Sequence, residues 1–125
     1  MPKSKEVPQN EIANLSSKKA MVVVAHADDA EYGCSGTIAK LCSQNWDVNY
    51  VLCTNGSKGS GDENITSEEI AAIRRNEQIE AGRVLGLKDV TFLDYEDSIL
   101  EPSLSLRKDI ARQIRKYRPD VLITT

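Results

Sequence analysis

Apolar residues gather in four short runs: AMVVVA (Ala20 to Ala25), VNYVLC (Val48 to Cys53), VTFL (Val90 to Leu93) and VLIT (Val121 to Thr124). They are short and rich in β-branched residues, which predicts buried strands of a parallel sheet. Between them the apolar positions recur at helical spacing. Ile38, Leu41 and Cys42 mark a helix over about Ser35 to Gln44, stopped at Asn45. Thr66 and Glu69 form a capping box, followed by an apolar face of Ile70, Ile73, Ala81, Val84 and Leu85 that ends at Gly86. Leu106, Ile110 and Ile114 mark a third helix, and Arg118-Pro119-Asp120 turns the chain into the fourth strand. Strands alternating with helices predict an α/β fold: a Rossmann-like three-layer α/β/α arrangement with a mostly parallel sheet. The chain stops on its fourth strand, and we expect that architecture to be incomplete at the C-terminus.

Two connections stand out. Thr54 to Ile65 is long for a strand-to-helix link and carries Gly56, Gly59 and Gly61, which reads equally as a mobile lid or a loose loop. Tyr95 to Pro102 is acidic. Residues 1–19 are polar without periodicity and are expected to be a flexible arm, leaving 20–125 as the N-terminal part of one domain.

Composition narrows the classes. A 125-residue chain with 40% hydrophobic and 28% charged residues is ordinary for one globular domain. A net charge of −3 gives no electrostatic footprint for nucleic acid or an anionic membrane. No apolar run reaches the length of a membrane span, and the N-terminus lacks the apolar segment of a signal peptide. Cys34, Cys42 and Cys53 follow neither disulfide nor zinc-site spacing, which suits free thiols in a cytoplasmic setting.

Chemistry concentrates where the first strand ends. There the only histidine, His26, stands with Asp28, Asp29 and Glu31, at the strand tip where open α/β sheets bind ligands. An imidazole and a carboxylate three residues apart suit a metal centre, with the intervening Asp28 left to act as general base and Glu31 to orient the histidine. The same cluster also reads as a solvated or capping group. Gly33 and Gly36 after a strand suggest a phosphate-binding turn, which would make the chain a nucleotide-binding module. An Asp28 or Asp29 nucleophile would make it a phosphotransferase. Arg74 and Glu77 fit an exposed i,i+3 pair, Trp46 a packed turn, and Lys116-Tyr117-Arg118 a solvated helix end.

AHADDAEYGCSGT, followed in order by TNGSKGSGD, IRRNEQIEAGRVLG, FLDYEDSIL and RPDVLIT, resembles the PIG-L/LmbE-like family of zinc-dependent N-acetylglucosaminyl deacetylases over nearly everything after Lys19. Ala27 departs from that family's usual proline. The resemblance implies a hydrolase that takes acetyl from an N-acetylated amino sugar, with zinc or another divalent metal as cofactor. It implies His26 and Asp29 as metal ligands, Asp28 as general base, and Arg74 and Asp97 as substrate-binding residues. It also implies a third ligand from a His-x-x-His pair past the fourth strand, and this chain has no second histidine. The 125 residues alone are therefore expected to be inactive. Which N-acetyl sugar is cleaved and the oligomeric state stay open.

Overall fold

The computed structural model describes residues 18–58, 61–97 and 99–125. Most of the expected arm (1–17), two residues of the glycine-bearing loop (59–60) and one of the acidic loop (98) lie outside the described residues. Four strands and three helices alternate along the chain. They are β1 (Lys19–Val24), α1 (Asp29–Ser43), β2 (Asp47–Thr54), α2 (Ser67–Leu85), β3 (Asp89–Tyr95), α3 (Leu104–Tyr117) and β4 (Val121–Thr124).

All strands are parallel, in the order β3-β2-β1-β4. β1 therefore runs through the middle, pairing Val22 with Tyr50 on one side and with Ile123 on the other. Covered on both faces, it needs apolar side chains at every position. Ala20, Met21 and Val22 are fully buried and Val23 and Val24 nearly so. Alternation along the strands divides the core in two. Val22, Val24, Tyr50 and Leu52 pack with Ile38 of α1, and Leu85 of α2 lies against them. Met21, Val23, Val51 and Cys53 pack with Leu106 of α3. Helices on both faces make the three layers that the alternation predicts.

Local chemistry sets the boundaries. The Thr66–Glu69 capping box forms, with Glu69 N–H donating to Thr66 Oγ1 and Glu69 Oε2 accepting from Thr66 N–H. Gly86 closes α2 at φ 87°, a left-handed conformation that glycine adopts without strain. Asn45, with φ 66°, ends the first helical segment as expected. Trp46 packs against the core, and Cys34, Cys42 and Cys53 are free thiols.

Three expectations need correction. α1 begins at Asp29, six residues before the expected Ser35, so Gly33 and Gly36 lie inside a helix rather than in a turn. Neither has any atom within 4 Å of where a Cβ would stand, so they serve neither close packing nor a phosphate loop. The second concerns α2, which buries Ile70, Gln78 and Gly82, a stripe at four-residue spacing, and leaves Val84 84% exposed. Of the expected face Ile70 is buried and Leu85 packs on the core, whereas Ile73 and Val84 are exposed. Gln78 and Gly82 were missed because a buried amide and a glycine carry no hydrophobic signal. The third concerns Tyr117, which packs against the Met21–Leu106 cluster instead of ending α3 in solvent.

Candidate metal centre

The strand tips supply the floor of the site. Thr54 donates to Ala25 O from both its backbone N, at 2.9 Å, and its hydroxyl, at 2.8 Å, locking the end of β2 to the end of β1. Asn55 N bonds Tyr95 O at 3.0 Å and brings in the end of β3. On this floor His26, Asp28, Asp29, Gly56, Arg74 and Asp97 border one pocket of about 220 Å³.

The turn from β1 into α1 presents its carboxylates differently. Asp28 is the N-cap of α1, with φ 72°, yet its side chain makes no capping bond. Its carboxylate is left exposed, and Arg74 Nη1 stands 3.5 Å from Asp28 Oδ2. Asp29 folds back instead: its Oδ2 accepts from the His26 backbone N at 2.9 Å and lies 3.5 Å from His26 Nδ1.

Asp97 fixes the far side of the imidazole. It is 5% exposed, its Oδ1 lies 2.8 Å from His26 Nε2, and its Oδ2 accepts from Lys58 N at 3.0 Å. A carboxylate only accepts, so it selects the ring form with hydrogen on Nε2. In the neutral ring Nδ1 then carries a lone pair facing the Asp29 oxygen. At 3.5 Å the two acceptors leave room for a positive centre between them, either a second ring proton or a metal cation. The spacing suits the latter, since two donors about 2.0–2.1 Å from a tetrahedral zinc lie about 3.4 Å apart. Among the described residues no group of three or more His, Cys, Asp or Glu side chains converges as a metal cage, and His26 and Asp29 are the two donors that face each other here.

The remaining sequence-selected residues separate. Glu31, expected to orient the histidine, instead accepts from Gln78 Nε2 of α2. The orienting group is Asp97, 71 residues from His26 in sequence, a pairing that no local pattern shows. Glu77 makes the i,i+3 contact with Arg74 at 3.9 Å, while the same Arg74 nitrogen reaches Asp28. The residue that sequence reading missed is Gln78, 3% exposed, whose Oε1 lies 3.4 Å from Asp28 N.

Known proteins share this frame. The chain is 37% identical over 106 residues to the diacetylchitobiose deacetylase of Thermococcus kodakarensis, covering 85% of this chain and 40% of that protein. It is similar to the solved structure of N,N'-diacetylchitobiose deacetylase from Pyrococcus horikoshii in complex with an inhibitor. That match has a TM-score of 0.82 and 41% identity, over 84% of this chain and 39% of that one. It is also similar to GalB, the 4-carboxy-2-hydroxymuconate hydratase of Pseudomonas putida, with a TM-score of 0.77 and 25% identity, over 84% of this chain and 45% of that one. The chain thus spans well under two thirds of the length of these relatives. The PIG-L family, described as GlcNAc-PI de-N-acetylase, matches residues 21–125, and the chain belongs to that family.

Proposed function

We propose that this chain carries the metal-binding and base-bearing part of a hydrolase that removes acetyl from an N-acetylglucosamine-type sugar or glycoconjugate. One observation carries the reading: His26 Nδ1 and Asp29 Oδ2 face each other at 3.5 Å while Asp97 holds the opposite ring nitrogen. The activity named for the Thermococcus relative supports the substrate class. GalB, a hydratase, shares the frame, so the fold by itself does not select the reaction. The glycine placement inside α1 speaks against the nucleotide-binding alternative. A phosphotransferase would leave the His26–Asp97 pair without a task.

His26 and Asp29 would hold the cation, and an imidazole with a carboxylate suits zinc, with another divalent metal as the alternative. When bound, zinc supplies a Lewis acid for the amide carbonyl and lowers the pKa of water. The chain's own residues do the rest. Asp28, exposed on the open side, takes a proton from the attacking water as oxygen bonds to the carbonyl carbon. It returns that proton to nitrogen as the C–N bond breaks, leaving acetate and the free amine. Arg74 sits beside Asp28 in the same pocket, placed to hold the sugar. Asp97 acts through His26, as a positioning residue rather than the substrate contact expected from sequence. Among the described residues no helix is long and apolar enough to cross a membrane, and three free thiols support a cytoplasmic setting.

Equilibrium dialysis with zinc, combined with acetate-release assays on the enzyme, tests these roles. Asp29→Ala should lose most bound metal. Asp28→Asn should keep it and lower kcat by roughly 10²–10⁴-fold, as expected for a positioned base. Exchanged phenotypes would reverse the two assignments, and absence of zinc binding by the unmodified enzyme would overturn the reading.

A further inference from the structure

Beneath Asp28 runs a polar connection that the mechanism above leaves unused. Gln78, in the middle of α2, is 3% exposed, and its amide reaches in two directions. Its Oε1 lies 3.4 Å from the Asp28 backbone N, and its Nε2 donates to Glu31 Oε1. The three residues border one pocket of about 200 Å³ beside the metal centre, separate from the one holding His26.

We propose that Gln78, oriented by Glu31, is the positioning residue that holds the Asp28 peptide in its left-handed conformation. The inference rests on the reading of Asp28 as general base. Its physical argument begins with Asp28 itself. A φ of 72° is uncommon for a residue with a Cβ and persists only where the surroundings hold it. The Asp28 side chain supplies no local bond to that turn, since it is directed to Arg74 instead of capping α1. The hold must come from the backbone, and the Asp28 carbonyl is engaged by Tyr32 N at 2.9 Å. Asp28 N–H is the other handle, and Gln78 Oε1 is what meets it.

Glu31 decides which end of the amide faces Asp28. An amide offers a donor end and an acceptor end, and only the acceptor end serves an N–H. A carboxylate offers acceptors only, so contact with Glu31 Oε1 draws Nε2 to itself and turns Oε1 toward Asp28. The other carboxylate oxygen, Glu31 Oε2, is buried with no hydrogen-bond partner among the described residues. Gln78 is thus the group that compensates burial of this carboxylate, and the contact holds the amide firmly. Glu31 and Asp28 lie one helical turn apart on α1, so base and orienter move as one rigid element.

The test reads the peptide directly. In ¹⁵N-labelled protein, Gln78→Met should raise the exchange rate of the Asp28 amide proton about tenfold, with the amides of Ala30 and Ile38 unchanged. Glu31→Gln, a smaller perturbation that serves if the methionine variant does not fold, should raise the same rate by freeing the amide to turn over. In the enzyme each variant should lower kcat about 10-fold to 100-fold at unchanged KM and metal content. An Asp28 amide exchanging at the original rate in a folded variant overturns the proposal, as does a loss carried entirely by KM. Faster exchange in a protein whose unmodified form releases no acetate upholds the hold on Asp28 and removes the deacetylase reading alone.

Discussion

Arg74 Nη1 stands 3.5 Å from Asp28 Oδ2, joining the second turn of α2 to the N-cap of α1 across 46 residues of sequence. The pair is unequal, for the arginine side chain is 30% exposed and the aspartate 70%. Arg74 is therefore the better fixed partner, while Asp28 stays open to solvent and substrate. Arg74→Ala should raise KM roughly tenfold to a hundredfold, the range for losing a charged hydrogen bond, with zinc content unchanged. Equal loss of zinc in that variant would make Arg74 a structural residue.

Asp97 offers a cleaner separation of binding from positioning. Asp97→Asn keeps the volume and removes the charge that selects hydrogen on His26 Nε2. Zinc affinity measured by chelator competition should fall about 10-fold to 100-fold, as for other outer partners of metal-bound histidines. A rise in KM with unaltered zinc affinity would restore Asp97 to the substrate side.

Gly56 has φ 69°, and a Cβ added there would come within 3.3 Å of Arg74 Cγ. Gly56→Ala should therefore act twice. The left-handed backbone costs about 1–2 kcal/mol of stability, measurable by urea unfolding. The displaced Arg74 should raise KM in the same direction as Arg74→Ala. Unfolding and KM both matching the unmodified enzyme would show that the loop yields freely.

Burial pushes the Tyr117 phenol up to about 12 from its ordinary 10, helped by the negative charges of Asp47 and Asp89. The fold favours the neutral phenol, so the unfolded chain releases that proton first. The resulting stability is fully present below about pH 10 and is lost as pH rises toward 12. Tyr117→Phe should lose less stability than the unmodified protein between about pH 9 and 11, by urea unfolding. Its hydroxyl has no hydrogen-bond partner among the described residues, so the variant should fold at least as well at neutral pH. Equal alkaline losses would place the titrating group elsewhere.

The sheet was legible because strand burial leaves a one-dimensional trace: β1 to β4 are the four apolar runs, shifted by a residue or two. The capping box and Gly86 were legible because their chemistry spans four residues or fewer. α1 was misjudged at its start because Asp28 caps it through backbone geometry, with no side-chain bond for a sequence rule to detect. At the site, His26, Asp28 and Asp29 are sequence neighbours and were found together. The partners that orient them, Asp97 and Gln78, lie 71 and 50 residues away, and only the parallel order of strands brings them near. Gln78 was further hidden because a polar residue in an amphipathic helix reads as solvent-facing.

The Asp97 carboxylate has one oxygen on the histidine ring and the other on Lys58 N, in the long loop that follows β2. Because the carboxylate is buried, neither bond is replaced by water at low cost if it breaks. Displacement of the loop at Lys58 would release one of the two bonds that fix this carboxylate against the ring. Conversely, a cation held at His26 would set the ring and, through it, the carboxylate that meets Lys58. Loop position and ring orientation are thus linked through one side chain. An event at the loop would be felt at the ring, and a cation at the ring would be felt in the loop with the same free energy.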